Sequence, residues 1–267
     1  MILIKQTIDI ILTVEKMSEL ILYYWPINFR GHLIYCLLDY VNISYTIAST
    51  SDLLTLKNAA PKDCLANFMA PPLLHDTSNN LYLAQTPAII TYLARKYNLY
   101  PNPENPMKVA LAEKTIHDCS DCLAGLTRNN GAEMWTKEVW DLFSTTRLVR
   151  WLQISENTAT EQGLKINEGF FLGTTSITFA DLVIVATFHT MEWALGDTIG
   201  IILRTNAPKM MALTDRIVTS SEILSTKFQS YEGSVVYCGG FIEKSLRSVL
   251  AGGDGATGDG DVPIPTK

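Results

Sequence analysis

The stretch from Phe68 to Tyr100, FMAPPLLHDTSNNLYLAQTPAIITYLARKYNLY, decides the fold. Ala70-Pro71-Pro72-Leu73-Leu74 opens a short strand, Leu73 to His75, on two prolines. Asp76 to Asn80 is a polar turn, and Leu81 to Ala84 is the returning strand. Gln85, Thr86 and Pro87 then lead into a helix. A threonine hydroxyl can accept from an amide one turn on, and proline fits a first helical position that needs no amide, so Thr86 is expected as N-cap with Pro87 after it. Ile89, Ile90, Leu93, Ala94 and Tyr97 recur at helical spacing, which buries one face. A Gln-Thr pair at a helix start beneath a proline-led strand gathers free amides, a hydroxyl and the positive helix end, so an acidic ligand is implied.

Upstream, Leu20 to Trp25 is an apolar and aromatic run of strand length. It is followed by the turn Pro26-Ile27-Asn28-Phe29 and by Leu33, Ile34, Leu37, Leu38 and Val41 at helical spacing. Ile43 to Ala48 reads as a second strand, parallel to the first through a right-handed crossover. An irregular helical segment, Asp52 to Leu65, precedes the hairpin and completes a βαβαββα unit over residues 19–97. Residues 98–106 hold three prolines and three asparagines and read as a linker. The rest, residues 107–232, reads as all-helical, with helices at Met107 to Leu126, Trp135 to Ser155, Phe179 to Leu195 and Pro208 to Phe228. Thr178 and Asp181 are spaced as a capping box, with Ile177 and Leu182 as a hydrophobic staple. The helix they open is apolar nearly all round, so it belongs at the centre of that domain.

The 267 residues are 47% apolar and 18% charged, as in ordinary globular proteins, with a formal charge of -6. Without a Lys/Arg cluster no footprint for nucleic acid or an anionic membrane is visible. Five cysteines without framework spacing point to free thiols and a reducing, cytoplasmic setting. Cys119 and Cys122 form a C-x-x-C inside a predicted helix, and read as small buried residues rather than a redox or metal pair. No metal is expected. Residues 1–18 are too interrupted for a secretory core and too short for a membrane span, and read as an extension without chemistry. Residues 233–267 read as a C-terminal extension, disordered from about 251, where five glycines occur without an apolar stretch.

From about Glu19 to about Tyr231 the chain resembles a cytosolic glutathione transferase of the tyrosine type, closest to the alpha, mu, pi and sigma classes. Four segments carry the resemblance: Leu22-Tyr23-Tyr24-Trp25 with Arg30-Gly31; Phe68 with Pro72 and Leu74; Gln85 through Tyr100; and Phe171-Leu172-Gly173 with Thr178 to Leu182. It implies a thioredoxin-like N-terminal domain, an α/β unit, joined to an all-α C-terminal domain. It also implies glutathione as co-substrate, a small hydrophobic electrophile as second substrate, and a homodimer.

Carried over residue by residue, the resemblance implies that Tyr24 is the catalytic tyrosine, with Tyr23 facing the other side of its strand. A free thiol titrates near about 8.5, so little of it is thiolate at neutral pH. A phenol hydrogen bond lowers that value, and two units correspond to about 2.7 kcal/mol. Arg30 would add its charge beside the sulfur. Gln85 and Thr86 would hold the γ-glutamyl carboxylate. Trp25 would line the glutathione site, Lys62 would stand near the usual lysine, and Pro72 would be the cis-proline. Either Asp118 or Asp121 would meet the glutathione amine, often across a dimer.

The chain also departs from the pattern. Pro71, before the expected cis-proline, has no amide to give the cysteinyl part of glutathione, a loss of about 0.5 to 1.5 kcal/mol. Met69, Ala70 and Asn28 replace residues common in the family. Three functional outcomes follow: conjugation of glutathione to hydrophobic electrophiles, a binding or structural protein with weak or lost turnover, and glutathione-dependent prostaglandin isomerisation. Cysteine and serine mechanisms are set aside, because residues 26–29 hold no thiol and no hydroxyl residue lies between Pro26 and Leu33.

Overall fold

The computed structural model describes residues 19–64, 66–230 and 236–255. The expected extension at residues 1–18 and the last part of the tail, 256–267, lie outside them.

Four strands form one mixed sheet in the order β2-β1-β3-β4. β1 (Leu20–Tyr23) runs parallel to β2 (Thr46–Ile47), and α1 (His32–Tyr40) joins them. β3 (Leu73–Asp76) lies antiparallel to β1 with Leu22 opposite Leu74, and β4 (Leu81–Ala84) returns beside it with Leu74 opposite Leu83. α2 (Thr50–Asn58) follows β2, and α3 (Thr86–Lys96) follows β4. Strand periodicity turns the two tyrosines to opposite faces of the sheet. Leu20, Leu22 and Tyr24 alternate into the core, whereas Ile21 and Tyr23 are only half-buried.

Thr86 is not the N-cap. Gln85 takes that position with φ at 72°, its carbonyl accepting the first helical bond from Ile89, and Thr86 is the first helical residue with Pro87 behind it. Among the described residues no side chain caps this helix.

The helical domain begins with α4 (Pro106–Leu126), capped by the Asn105 side chain, which accepts from the Lys108 amide. α5 comprises Lys137–Leu142, a π-helical turn Phe143–Arg147, and Leu148–Glu161. α6 comprises Phe179–Ile184, a second π-helical turn Val185–His189, and Thr190–Leu195. α7 (Asp197–Asn206), α8 (Pro208–Ser220), α9 (Glu222–Ser230) and α10 (Gly240–Leu250) complete it. Among the described residues no helix is long and apolar enough to cross a membrane.

α6 occupies the centre. Its first half is buried throughout, and it packs against α1, α4 and α8. The capping box forms: Asp181 Oδ2 accepts from the Thr178 amide at 2.8 Å, and Oδ1 accepts from the Phe171 amide at 2.7 Å. Phe179 also donates to Leu99 O at 2.9 Å, tying the end of the sheet domain to the central helix.

Two helices lie beyond the sequence reading. α7 fills the gap after α6, and α10 lies in what reads as an extension. Ile242, Leu246 and Val249 of α10 are buried, and Ser245 Oγ accepts from the Trp135 amide at 3.0 Å. Residues 251–255, expected to be disordered, form a turn in which Gly255 pairs with Thr136.

Candidate active site

The site forms where the ends of regular elements meet. Tyr24 follows the last residue of β1 and lies against the start of α1. A Cβ on Gly31 would stand 2.3 Å from the Tyr24 ring, so only glycine admits the tyrosine here. Tyr24 is 3% exposed and borders a cavity of about 820 Å³. Burial pushes its pKa up to about 12, offset in part by the Gly31 and Arg30 amides and the Arg30 charge. At neutral pH the group is therefore a phenol with a proton to donate.

Around the same cavity stand Trp25, Arg30, Pro71, Pro72, Gln85 and Thr86. The Pro71-Pro72 bond is cis, as expected. Gln85 is a non-glycine residue at positive φ on an exposed rim, a strained conformation of the kind that accumulates at functional positions. The net charge of the whole chain is -6, yet among the described residues those lining this cavity include Arg30 and Lys57 and no carboxylate. With the start of α3 facing it, the cavity suits an anion.

Three predicted residues are not brought to this cavity. Lys62 sits exposed on a turn outside it, and Lys57 of α2 stands there instead, with Nζ 5.7 Å from the centre of the Trp25 ring. Asp118 and Asp121 line a separate cavity of about 290 Å³ between α4 and α5 that also holds Cys119, Cys122 and Trp151, and Asp118 pairs with Lys114. The α4 residues that reach the Tyr24 cavity are His117 and Ser120, three apart on the helix, followed by Thr127 and Asn130. Sequence periodicity marks the buried face of α4 and does not distinguish its polar faces, so these residues carry no signal of their own.

A second, more apolar cavity of about 520 Å³ adjoins the first and shares Trp25, Asn130, Cys238 and Ile242 with it. Ile27 from the loop after β1 contributes, together with Met134 and α10. The loop is held to the C-terminal segment by the Asn28 amide, which donates to Val236 O at 2.9 Å. The two cavities together offer a charged, hydrogen-bonding compartment beside an oily one.

All five cysteines are free, and burial pushes the thiols of Cys119, to about 12, and of Cys36, Cys122 and Cys238 upward, so none of these four is a ready nucleophile, although Cys238 lines both cavities. Among the described residues, His189, Glu192 and Asp215 could offer ligand atoms within 4.8 Å of one another. Arg204 already binds both of those carboxylates, at 2.6 to 3.1 Å, and so occupies the place of a cation.

The family profile for the glutathione S-transferase C-terminal domain matches residues 111–249. A search of curated protein sequences returns no significant match. Among solved structures, a pi-class glutathione S-transferase of Onchocerca volvulus is similar with a TM-score of 0.65 at 18% identity, covering 84% of this chain and 98% of that one. Prostaglandin synthase D of Nilaparvata lugens matches with a TM-score of 0.56 at 17% identity, and rat hPGDS complexed with a quinoline with 0.59 at 18%; each covers 79% of this chain and 96% of the other. At such identities the structures speak for the fold, whereas the profile spans more than half of the chain. The chain belongs to the glutathione S-transferase family.

Proposed function

We propose that the protein binds glutathione in the larger cavity and adds its thiolate to a hydrophobic electrophile held in the smaller one. The observation that carries this reading is the composition of the larger cavity. Tyr24, two cations, the cis-proline strand and the start of α3 share it, no carboxylate among the described residues lines it, and an apolar compartment opens from its side.

In this scheme Gln85, Thr86 and the α3 start hold the γ-glutamyl carboxylate, and Trp25 and Lys57 face the other end of the peptide. The Tyr24 hydroxyl donates to the sulfur, which favours the thiolate, and the Arg30 charge adds to that. The thiol proton leaves to water. The sulfur then forms a bond to the electrophilic carbon, and the leaving group departs with its electron pair. In a homodimer, Asp118 or Asp121 would serve the glutathione amine of the second copy. The lack of a signature for nucleic acid or membrane, and the free thiols, fit work in the cytoplasm, including detoxification.

Pro71 favours a second reading, a binding or structural protein with weak or no turnover, because the strand offers the ligand one amide fewer. The fold likeness to two prostaglandin synthases adds isomerisation as an assay worth running. Calorimetric titration of glutathione, paired with conjugation to a generic aryl halide, separates the first two readings, with Tyr24→Phe as control. Millimolar or tighter binding is expected, with turnover that falls in Tyr24→Phe. Absence of binding at that level would sink the enzyme reading; binding with turnover indifferent to the substitution would sink the role of Tyr24.

A further inference from the structure

The chain leaves α4 through an unusual turn. Arg128, Asn129 and Asn130 have φ values of 41°, 56° and 56°, and Gly131 follows at 84°, so three consecutive non-glycine residues adopt the left-handed conformation. That region is disfavoured for residues with a Cβ, although asparagine tolerates it better than most. The turn is held by its own backbone and by the residues that follow it. Gly131 donates to Thr127 O at 2.6 Å, the Arg128 guanidinium lies 5.0 Å over the Trp135 ring, and Arg128 also pairs with Glu133.

This device presents Asn130 on the wall common to both cavities. Within the described residues no hydrogen bond to its carboxamide is seen, and the residue is exposed. The other groups on that wall are Trp25, Ile242 and Cys238, whose thiol burial keeps protonated. Elsewhere on the lining of the apolar cavity, Glu243 is committed to the amides of Tyr237 and Gly239 and to Arg247. Lys244 lies 5.9 Å over the Phe241 ring. A group that can both donate and accept is thus placed where the apolar cavity meets the one that Tyr24 lines.

We propose that Asn130 reads the second substrate: the apolar cavity takes an elongated apolar molecule whose one hydrogen-bonding group, a carbonyl in the simplest case, lies against the Asn130 carboxamide at the junction. This deepens the reading of the two cavities given above, and the selectivity it assigns is a binding property that needs no turnover to be seen.

The test uses the full chain and two unreactive probes of equal length, a saturated methyl ketone and an alkyl chloride, each titrated by displacement of a bound hydrophobic dye. Asn130→Gly keeps the left-handed backbone and removes the carboxamide. Asn129→Gly is the control, because that residue shares the backbone conformation and borders neither cavity. The expected result is that the ketone binds the wild type more tightly than the chloride and weakens about tenfold in Asn130→Gly, the change that one hydrogen bond brings. The chloride should stay within about twofold, and Asn129→Gly should alter neither probe. Equal weakening of both probes, or the same loss from Asn129→Gly, would make the turn merely structural and overturn the proposal, as would a wild type that shows no preference for the ketone. Glutathione is titrated into the same three proteins. Failure of the wild type to bind it while ketone selectivity persists would remove the glutathione reading and leave this one standing.

Discussion

The two cavities are framed by different kinds of chain. The larger is bounded mainly by places where regular elements end: Tyr24 after β1, Arg30 ahead of α1, Pro72 at the head of β3, Gln85 and Thr86 at the head of α3, with His117 and Ser120 of α4 beside them. The smaller is bounded by irregular chain, the left-handed turn at 128–131 and the segment 236–240, with α10 behind them. An element end is fixed by the hydrogen-bond ladder behind it, so its side chains are placed by the sheet and helices as a whole. Irregular chain is fixed side chain by side chain. The first arrangement suits a compartment for one invariant ligand, and the second suits a compartment whose contents are free to differ.

If that contrast holds, the largest effect should come from disturbing an element end. Gly31→Ala puts a methyl group 2.3 Å from the Tyr24 ring, and the neighbour is a ring locked between β1 and α1. Overpacking of this kind costs about 1 to 3 kcal/mol. Conjugation should fall by more than in Tyr24→Phe, where the loss of a hydrogen bond to a charged sulfur gives about tenfold to hundredfold. A melting curve and a pH profile of kcat/KM check this. Both variants should move the apparent thiol pKa toward its free value of about 8.5. A profile unmoved by Gly31→Ala would mean that the tyrosine ring is not held where the ladder places it.

The same contrast explains what could be read from the sequence. The sheet domain and the start of α6 were legible because their signals are local: two strands around a polar turn and a Pro-led helix in the first, and in the second a capping box that matches Asp181 with its three donors. Strand parity put Tyr24 and Tyr23 on opposite faces, and the resemblance, not parity, chose Tyr24. Thr86 was misplaced by one position because a cap is inferred from side-chain type, whereas the chain spends an unusual φ on Gln85 instead. Lys57 and Lys62 are not distinguishable by composition, since which lysine returns to the cavity depends on how α2 docks. The smaller cavity was the less legible one. α10 carries a helical apolar pattern in Ile242, Leu246 and Val249, but it opens on Gly239-Gly240 and runs into a Gly/Asp-rich tail that reads as disorder. The dipeptide Asn130-Gly131 does signal a turn, yet nothing local says that the turn is left-handed over several residues or that it borders the cavity of Tyr24.

A smaller effect, of opposite sign, should follow from restoring what Pro71 removes. Pro71→Val returns a backbone amide at the head of β3 beside Pro72, within the frame of element ends. Glutathione should bind about twofold to tenfold more tightly by calorimetry, in keeping with one hydrogen bond. Probes of the apolar cavity should be unaffected. An unchanged glutathione affinity would show that the ligand does not pair with this strand, which would separate the cavity from the scheme proposed for it.

The smallest effect concerns the support of α3 rather than its ligand. Asp76, fully buried at the end of β3, accepts from Lys96 Nζ at 2.6 Å, Tyr92 at 2.5 Å and Ser78 at 2.6 Å, so it clasps the β3–β4 turn to the last turns of α3. Burial alone would raise its pKa, but Lys96, Ser78, Tyr92 and Asn79 together hold the carboxyl well below the usual range. A carboxyl lowered in the folded state contributes stability that is present above its unfolded pKa, about 3.9, and is lost as pH falls through the folded value. Asp76→Asn should therefore cost about 2 kcal/mol at pH 7. The gap in melting temperature between the two proteins should narrow steadily from about pH 4 downward and leave glutathione affinity little changed at neutral pH. A gap that stays constant down to pH 3 would assign the cost to packing of the amide instead of to the charge. A large loss of glutathione binding would show that the start of α3 depends on this distant clasp, and that the end of an element is not held by its ladder alone.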